Sequence, residues 1–317
     1  FGNEEKKFAY PDSFQQFLVL ENSTLKEQID AEINKKLEAI KIEDAKQYKS
    51  NLIIKEPRTH TRETATKQAK KKQPPKSNIA FKCNYCDGGE DHDIIGFNGV
   101  CSDTMIKYNI EIEGRTWCRD RNCPCFQYWN GDITRIELEE IFDEGGFVCY
   151  ESQMLRDWRA FAGVIQQGEN RGRPMKLQKV QSNTLAILTT RKPYTEEEDR
   201  FIFAVFLVDD SYQGDNKEEG YVTTNSEYKI KLSNSEAVNL KFWDFYFNPN
   251  SPGTLAWGHG LHRYITDQQS VQILEAIVSL KAGTPDENLA NRFAEHFCMI
   301  KGLERKRLPK PYGALKR

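Results

Sequence analysis

At 317 residues the chain has room for two or three domains, and its 18 Phe, 13 Tyr and 5 Trp are enough to build a real core. No apolar run reaches the roughly 18 residues that span a bilayer, which excludes a helical membrane protein. The formal charge of -2 hides segregation: residues 55–82 carry +7 and residues 301–317 carry +6, so the rest of the chain is strongly acidic.

Residues 1–54 read as a helical segment. Ser23 caps a helix on which Leu25, Ile29, Ile33, Leu37 and Ile40 form one apolar stripe, to be buried on the body or on a protein partner. The opening FGNEEKKFAY has no secretory signal pattern, so the expected location is intracellular, cytoplasmic or nuclear. Residues 55–78 form a basic linker almost without large apolar side chains. Its Lys70, Lys71 and Lys72 are candidate phosphate contacts.

Residues 79–180 form a cysteine-rich module with short helices. Cys83, Cys86, Cys101, Cys118, Cys123 and Cys125 fall within about forty residues rich in Gly, Asp and Asn. A Cys-x-x-Cys turn supplies half of a tetrahedral metal site, and the second cluster supplies the rest. Structural zinc is the first expectation. Two metals with shared thiolates, an iron–sulfur cluster and disulfides are the competing uses. Cys149 and Cys298, in apolar surroundings, read as buried free thiols, and His92 as a loop residue. Thr134 and Glu137 form a capping box for one helix. A second helix is expected from Ser152, with Leu155, Trp158, Ala162 and Ile165 on one face. The loop that follows carries Arg171 and Arg173, two more candidate phosphate contacts.

Residues 181–300 change character. TLAILTT, RFIFAVFLVDD, YVTTN and YKIKLS read as strands, and LKFWDFYFN as a strand with aromatics on both faces. A loop, NPNSPGTLAWGHGLHRYIT, leads into two helices, and residues 301–317 form a basic tail. The expected class is α+β: an N-terminal helix, a metal module, then a small β-barrel or curved mixed sheet flanked by helices.

TLAILTTRKP, DRFIFAVFLVDD, KFWDFYF and WGHGLHRY resemble the PUA superfamily, in particular its EVE and YTH branches. The resemblance implies an aromatic pocket for a modified base, with Trp243, Trp257 and Tyr246 as its walls. In such a pocket His259 or Asp244 would hydrogen-bond the base edge and Arg263 would hold the adjacent phosphate. The function expected is therefore nucleic-acid binding, DNA or RNA, with a structural zinc module and basic flanks. A nuclease or nuclease subunit of a modification-dependent defence system is one alternative, for which His259 with His262, Asp209 with Asp210, and Glu227-Tyr228-Lys229 are the candidate groups. A protein assembly module is the other.

Overall fold

The structure is a computed structural model, which describes Lys35 and residues 77–89, 96–165, 168–179, 182–258 and 260–316. The N-terminal helix, Lys70 to Lys72, His92 and His259 lie outside the described residues. Residues 71–317 belong to one compact unit of α+β class.

The main sheet has five strands: β1 (Asn78–Lys82), β3 (Leu185–Thr190), β4 (Phe201–Leu207), β7 (Lys229–Lys231) and β8 (His262–Ile265). Their order is β7-β4-β3-β1-β8. β3 and β4 are buried at every position, as their continuous apolar runs require of central strands. A smaller antiparallel sheet is ordered β2 (Arg159–Phe161), β6 (Tyr221–Thr223), β5 (Asp210–Tyr212). Both sheets are open, so of the expected barrel or mixed sheet it is a mixed sheet that forms, and no barrel closes among the described residues.

β1 runs parallel to β3, with Ile79 opposite Ala186 and Lys82 opposite Thr189, and antiparallel to β8. Adjacent parallel strands need a long crossover. Here the crossover is residues 83–184, the whole cysteine-rich segment. The expected modules 79–180 and 181–300 thus share one sheet. Buried Asn78 fixes the pairing, accepting from the Leu185 amide at 2.8 Å and donating to Asp267 at 2.8 Å. Thr189 and Thr190 donate their hydroxyls to the Phe81 and Cys83 carbonyls at 2.7 and 3.1 Å.

The crossover holds four short helices: α1 (Asp103–Lys107), continued by a π-helical turn to Ile112, α2 (Pro124–Asn130), α3 (Arg135–Asp143) and α4 (Tyr150–Asp157). The Thr134–Glu137 capping box is present at α3. The helix expected through Ile165 stops at Asp157. Trp158 takes a left-handed φ of 45°, and its carbonyl accepts from the Thr223 hydroxyl and the Thr224 amide, which starts β2 on β6.

After β7 come a short helix, α5 (Asn234–Ala237), and then α6 (Asp267–Lys281) and α7 (Glu287–Lys301). A Thr266–Gln269 capping box opens α6, and Gly302 closes α7 in the left-handed region. No helix among the described residues is long and apolar enough to cross a membrane.

One expectation fails in this half. KFWDFYF is a tight turn, with a 3-10 segment at Phe242–Asp244, and not a strand. An aromatic on either side at every position suits a strand covered on both faces and a turn buried all round equally well. The tail is docked on the body. Gly313 donates its amide to Asp244 at 2.8 Å, where a Cβ would stand 2.2 Å from the Trp243 carbonyl. Lys301, Arg305 and Lys316 pair with Asp267, Glu275 and Asp244, so acidic body and basic tail neutralise each other.

Trp243 and Trp257 are 0% and 3% exposed, and both pack on Phe242, at 5.3 and 5.1 Å. Trp257→Ala should therefore cost about 3–5 kcal/mol in denaturant unfolding; an unchanged midpoint would show that the indole is not core. His262 sits opposite Phe81 on β8, and burial lowers its pKa to about 4. The unfolded chain binds a proton near pH 6.5 that the folded chain refuses. Stability is full above about pH 6.5 and falls towards pH 4, by about 3 kcal/mol. Unfolding at pH 7 and 4.5 checks this: His262→Asn should lose less on acidification than the wild type, and an equal loss would assign the pH dependence elsewhere.

Candidate functional site

β1 delivers the chain into the Cys83-x-x-Cys86 turn, where the Cys83 amide donates to the Thr189 carbonyl at 2.9 Å. The return segment from Gly96 packs directly on this turn. A Cβ on Gly96 would lie 2.0 Å from the Cys86 carbonyl oxygen, so only glycine fits. Phe97, at a φ of 69°, stacks on Phe203 of β4 at 3.7 Å and anchors that segment to the sheet. Ser102 then donates its hydroxyl to Asp87 at 2.5 Å and caps α1 through the Met105 amide. These contacts bring Cys101 Sγ to 3.4 Å from Cys86 Sγ.

Four more cysteines arrive from other elements. Cys118 comes from the turn after the π-helical segment, Cys123 and Cys125 from the start of α2, and Cys149 from the cap of α4, where its sulfur accepts from the Ser152 amide at 3.3 Å. Cys149 was expected as a buried free thiol and not as a member of this group. Cys86, Cys101, Cys118, Cys123, Cys125 and Cys149 line a single cavity of about 30 Å³, closed by Asn84, Tyr85, Ile106, Asn109, Ile110 and Glu151.

Cys83 is placed apart from them. Its buried sulfur lies 3.7 Å from Met154 Sδ and 4.0 Å from the Phe81 carbonyl. A Cys-x-x-Cys spacing predicts convergence, but here the strand end holds its first member on the sheet side. Cys149 carried no spacing signal at all, since only the packing of α4 brings it in. Cys298 is buried in α7, as its apolar neighbours imply.

All eight cysteines are free. Hydrogen bonding to Cys86 and then burial push the Cys101 thiol well up, and bonding to Cys123 and then burial do the same at Cys125. Burial, followed by the nearby Glu151 carboxylate, raises Cys149, and raises Cys118 to about 12. Cys123, bonded by the Cys125 thiol, drops to about 7. Buried thiols of this kind deprotonate when a cation replaces their protons. Among the described residues no three such side chains converge at metal-ligand spacing; the sulfurs line the wall of the cavity. The donor set, six thiols and one carboxylate, is suited to a thiophilic cation.

A cationic group lies where β1 and β3 end side by side. Lys82 is half-buried, and its pKa is lowered by burial, then by Arg200, with Arg191 and Arg115 adding to the effect and Glu197 opposing it. Arg115 donates to Asn84 and Asn109, which line the thiol cavity. Arg200 is buried and committed to Glu197, with a second bond at 3.0 Å. Tyr194, 82% exposed and at a φ of 61°, presents its ring at the edge of Tyr108, 4.9 Å away.

The expected base pocket is not open. Phe242 packs between Trp243 and Trp257, and Tyr246 stacks on Phe242 at 5.2 Å. The Arg200 and Arg263 guanidinium groups lie 5.0 and 5.5 Å from the Trp257 ring centre, and Arg263 donates to the Trp257 carbonyl. Arg263 is thereby tied to its own loop. Arg171 and Arg173 are exposed on a hairpin that extends β2, where the Ile165 amide donates to the Arg173 carbonyl.

Among the described nuclease candidates, Asp209 accepts from the Asn225 and Ser226 amides, next to Glu227, while Glu227 pairs with Arg292 and His262 lies apart, against Phe81. No protein-family model, no curated protein and no solved structure matches the chain.

Proposed function

We propose that the chain binds nucleic acid, using a fold whose crossover is held by zinc bound to thiolates. The observation that carries the nucleic-acid reading is the group at the ends of β1 and β3. Lys82, Arg115 and Arg191 gather there, with the exposed ring of Tyr194 four residues beyond the end of β3. Phosphates satisfy the clustered cations, and a tyrosine ring in solvent offers a face on which a base stacks at about 1–3 kcal/mol. Arg171 and Arg173 supply a second set of exposed cations. This keeps the partner expected from the sequence but moves the binding face away from Trp243 and Trp257, which are committed to the core.

Zinc enters as a structural ion. Thiolates fill its coordination sphere and leave no position for a reacting water. Its contribution is cohesion among the separate short elements that carry the six cysteines. Asn84, Asn109 and Arg115 connect the cavity to the cationic group, so a cavity fixed by metal also fixes the phosphate-binding arginine.

Binding of single-stranded and duplex DNA and RNA across a salt series tests the reading. Affinity should fall steeply with salt. Arg191→Ala should reduce the slope by about one, and Tyr194→Ala should weaken single-strand binding by about fivefold or more at an unchanged slope. Absence of binding to every oligonucleotide at low salt would overturn the proposal, as would variants that bind like the wild type.

A further inference from the structure

We infer that the cavity holds two zinc ions in one six-thiolate cluster, with Cys86, Cys101, Cys118, Cys123, Cys125 and Cys149 as ligands and Cys83 outside it. This rests on the zinc reading above and adds the number of ions and the identity of the ligands.

A tetrahedral ion takes four ligands. One ion would leave two of the six sulfurs as unligated thiols beside it in the same cavity. Two tetrahedra offer eight positions, and six thiolates fill all of them when two bridge the ions. One sulfur pair already stands near the spacing of two ligands on one ion, and the other four line the same small cavity. Two thiolates at about 2.3 Å from one zinc stand about 3.8 Å apart, and Cys86 Sγ and Cys101 Sγ are already at 3.4 Å. A disulfide would place them near 2.05 Å.

An iron–sulfur cluster uses four thiolates and leaves the same two over. Glu151, the one carboxylate on the wall, accepts from the Asn84 amide at 3.2 Å and holds the first cysteine turn. Cys83 is excluded by its contacts with Met154 and the Phe81 carbonyl.

Assembly follows a fixed balance. Six S–H bonds give up six protons to solvent as two Zn²⁺ bind, and the cluster carries a charge of -2. Arg115, bonded to two asparagines of the cavity wall, stands beside that charge.

Elemental analysis and native mass of the full chain should give two zinc per polypeptide. Titration of the metal-free chain with Co²⁺ should break at two equivalents and release six protons. Cys149→Ser should lose about one equivalent, while Cys83→Ser keeps two. If Cys149→Ser does not fold, the wild-type Co²⁺ end point decides the number. One zinc per chain, or two retained in a folded Cys149→Ser, would overturn the cluster and leave the zinc reading standing. No zinc, with iron bound or the cysteines oxidised in pairs, would remove both.

Discussion

The parallel pairing of β1 with β3 is the constraint on which the rest depends. Two neighbouring strands that run the same way cannot be joined by a turn. The chain must leave the sheet after Lys82 and return at Leu185, and everything in between has to pack as a crossover. Its helices are short, and beside buried apolar side chains such as Phe97, Ile106, Leu138 and Leu155 it packs six cysteines around one cavity. The sheet and the thiol cavity are therefore one construction: Cys83 stays bonded to β3, Cys86 turns into the cavity, and Phe97 returns to stack on β4.

The same arrangement explains where the cations collect. Parallel strands end at the same edge, so Lys82 after β1 and Arg191 after β3 come out together. Arg115 is brought to them by the two asparagines of the cavity wall. Glu197 pairs with both Arg200 and Arg191, and Glu113 lies 3.6 Å from Arg115, so carboxylates offset part of this cationic group. In the tail, Lys301 and Arg305 pair with Asp267 and Glu275 of α6, and Lys316 pairs with Asp244.

The aromatic turn shows how packing removes a function that composition offers. Trp243, Tyr246 and Trp257 surround Phe242, with two guanidinium groups over the Trp257 ring. The stacking that a free base would use is supplied by the protein itself. Gly313 seals the turn from the far side, where any side chain would collide with backbone.

The sequence by itself determined the elements whose causes are local. β3 and β4 are continuous apolar runs, α3 carries its capping box at Thr134 and Glu137, α6 and α7 show their stripes, and the α+β class follows from these. The gathering of Cys86, Cys101, Cys118, Cys123 and Cys125 was legible from spacing. Only the tertiary structure decided what depends on partners distant in the chain. NIAFK is too short to declare itself a strand until β3 and β8 flank it, and HRYI lies inside what reads as a loop. Trp158 ends its helix because Thr223 and Thr224 bond its carbonyl, a contact no local pattern announces. The exchange of Cys83 for Cys149 has the same origin. A sulfur's direction is set by the strand or helix that carries it, and those are oriented by pairings across a hundred residues rather than by the residues on either side.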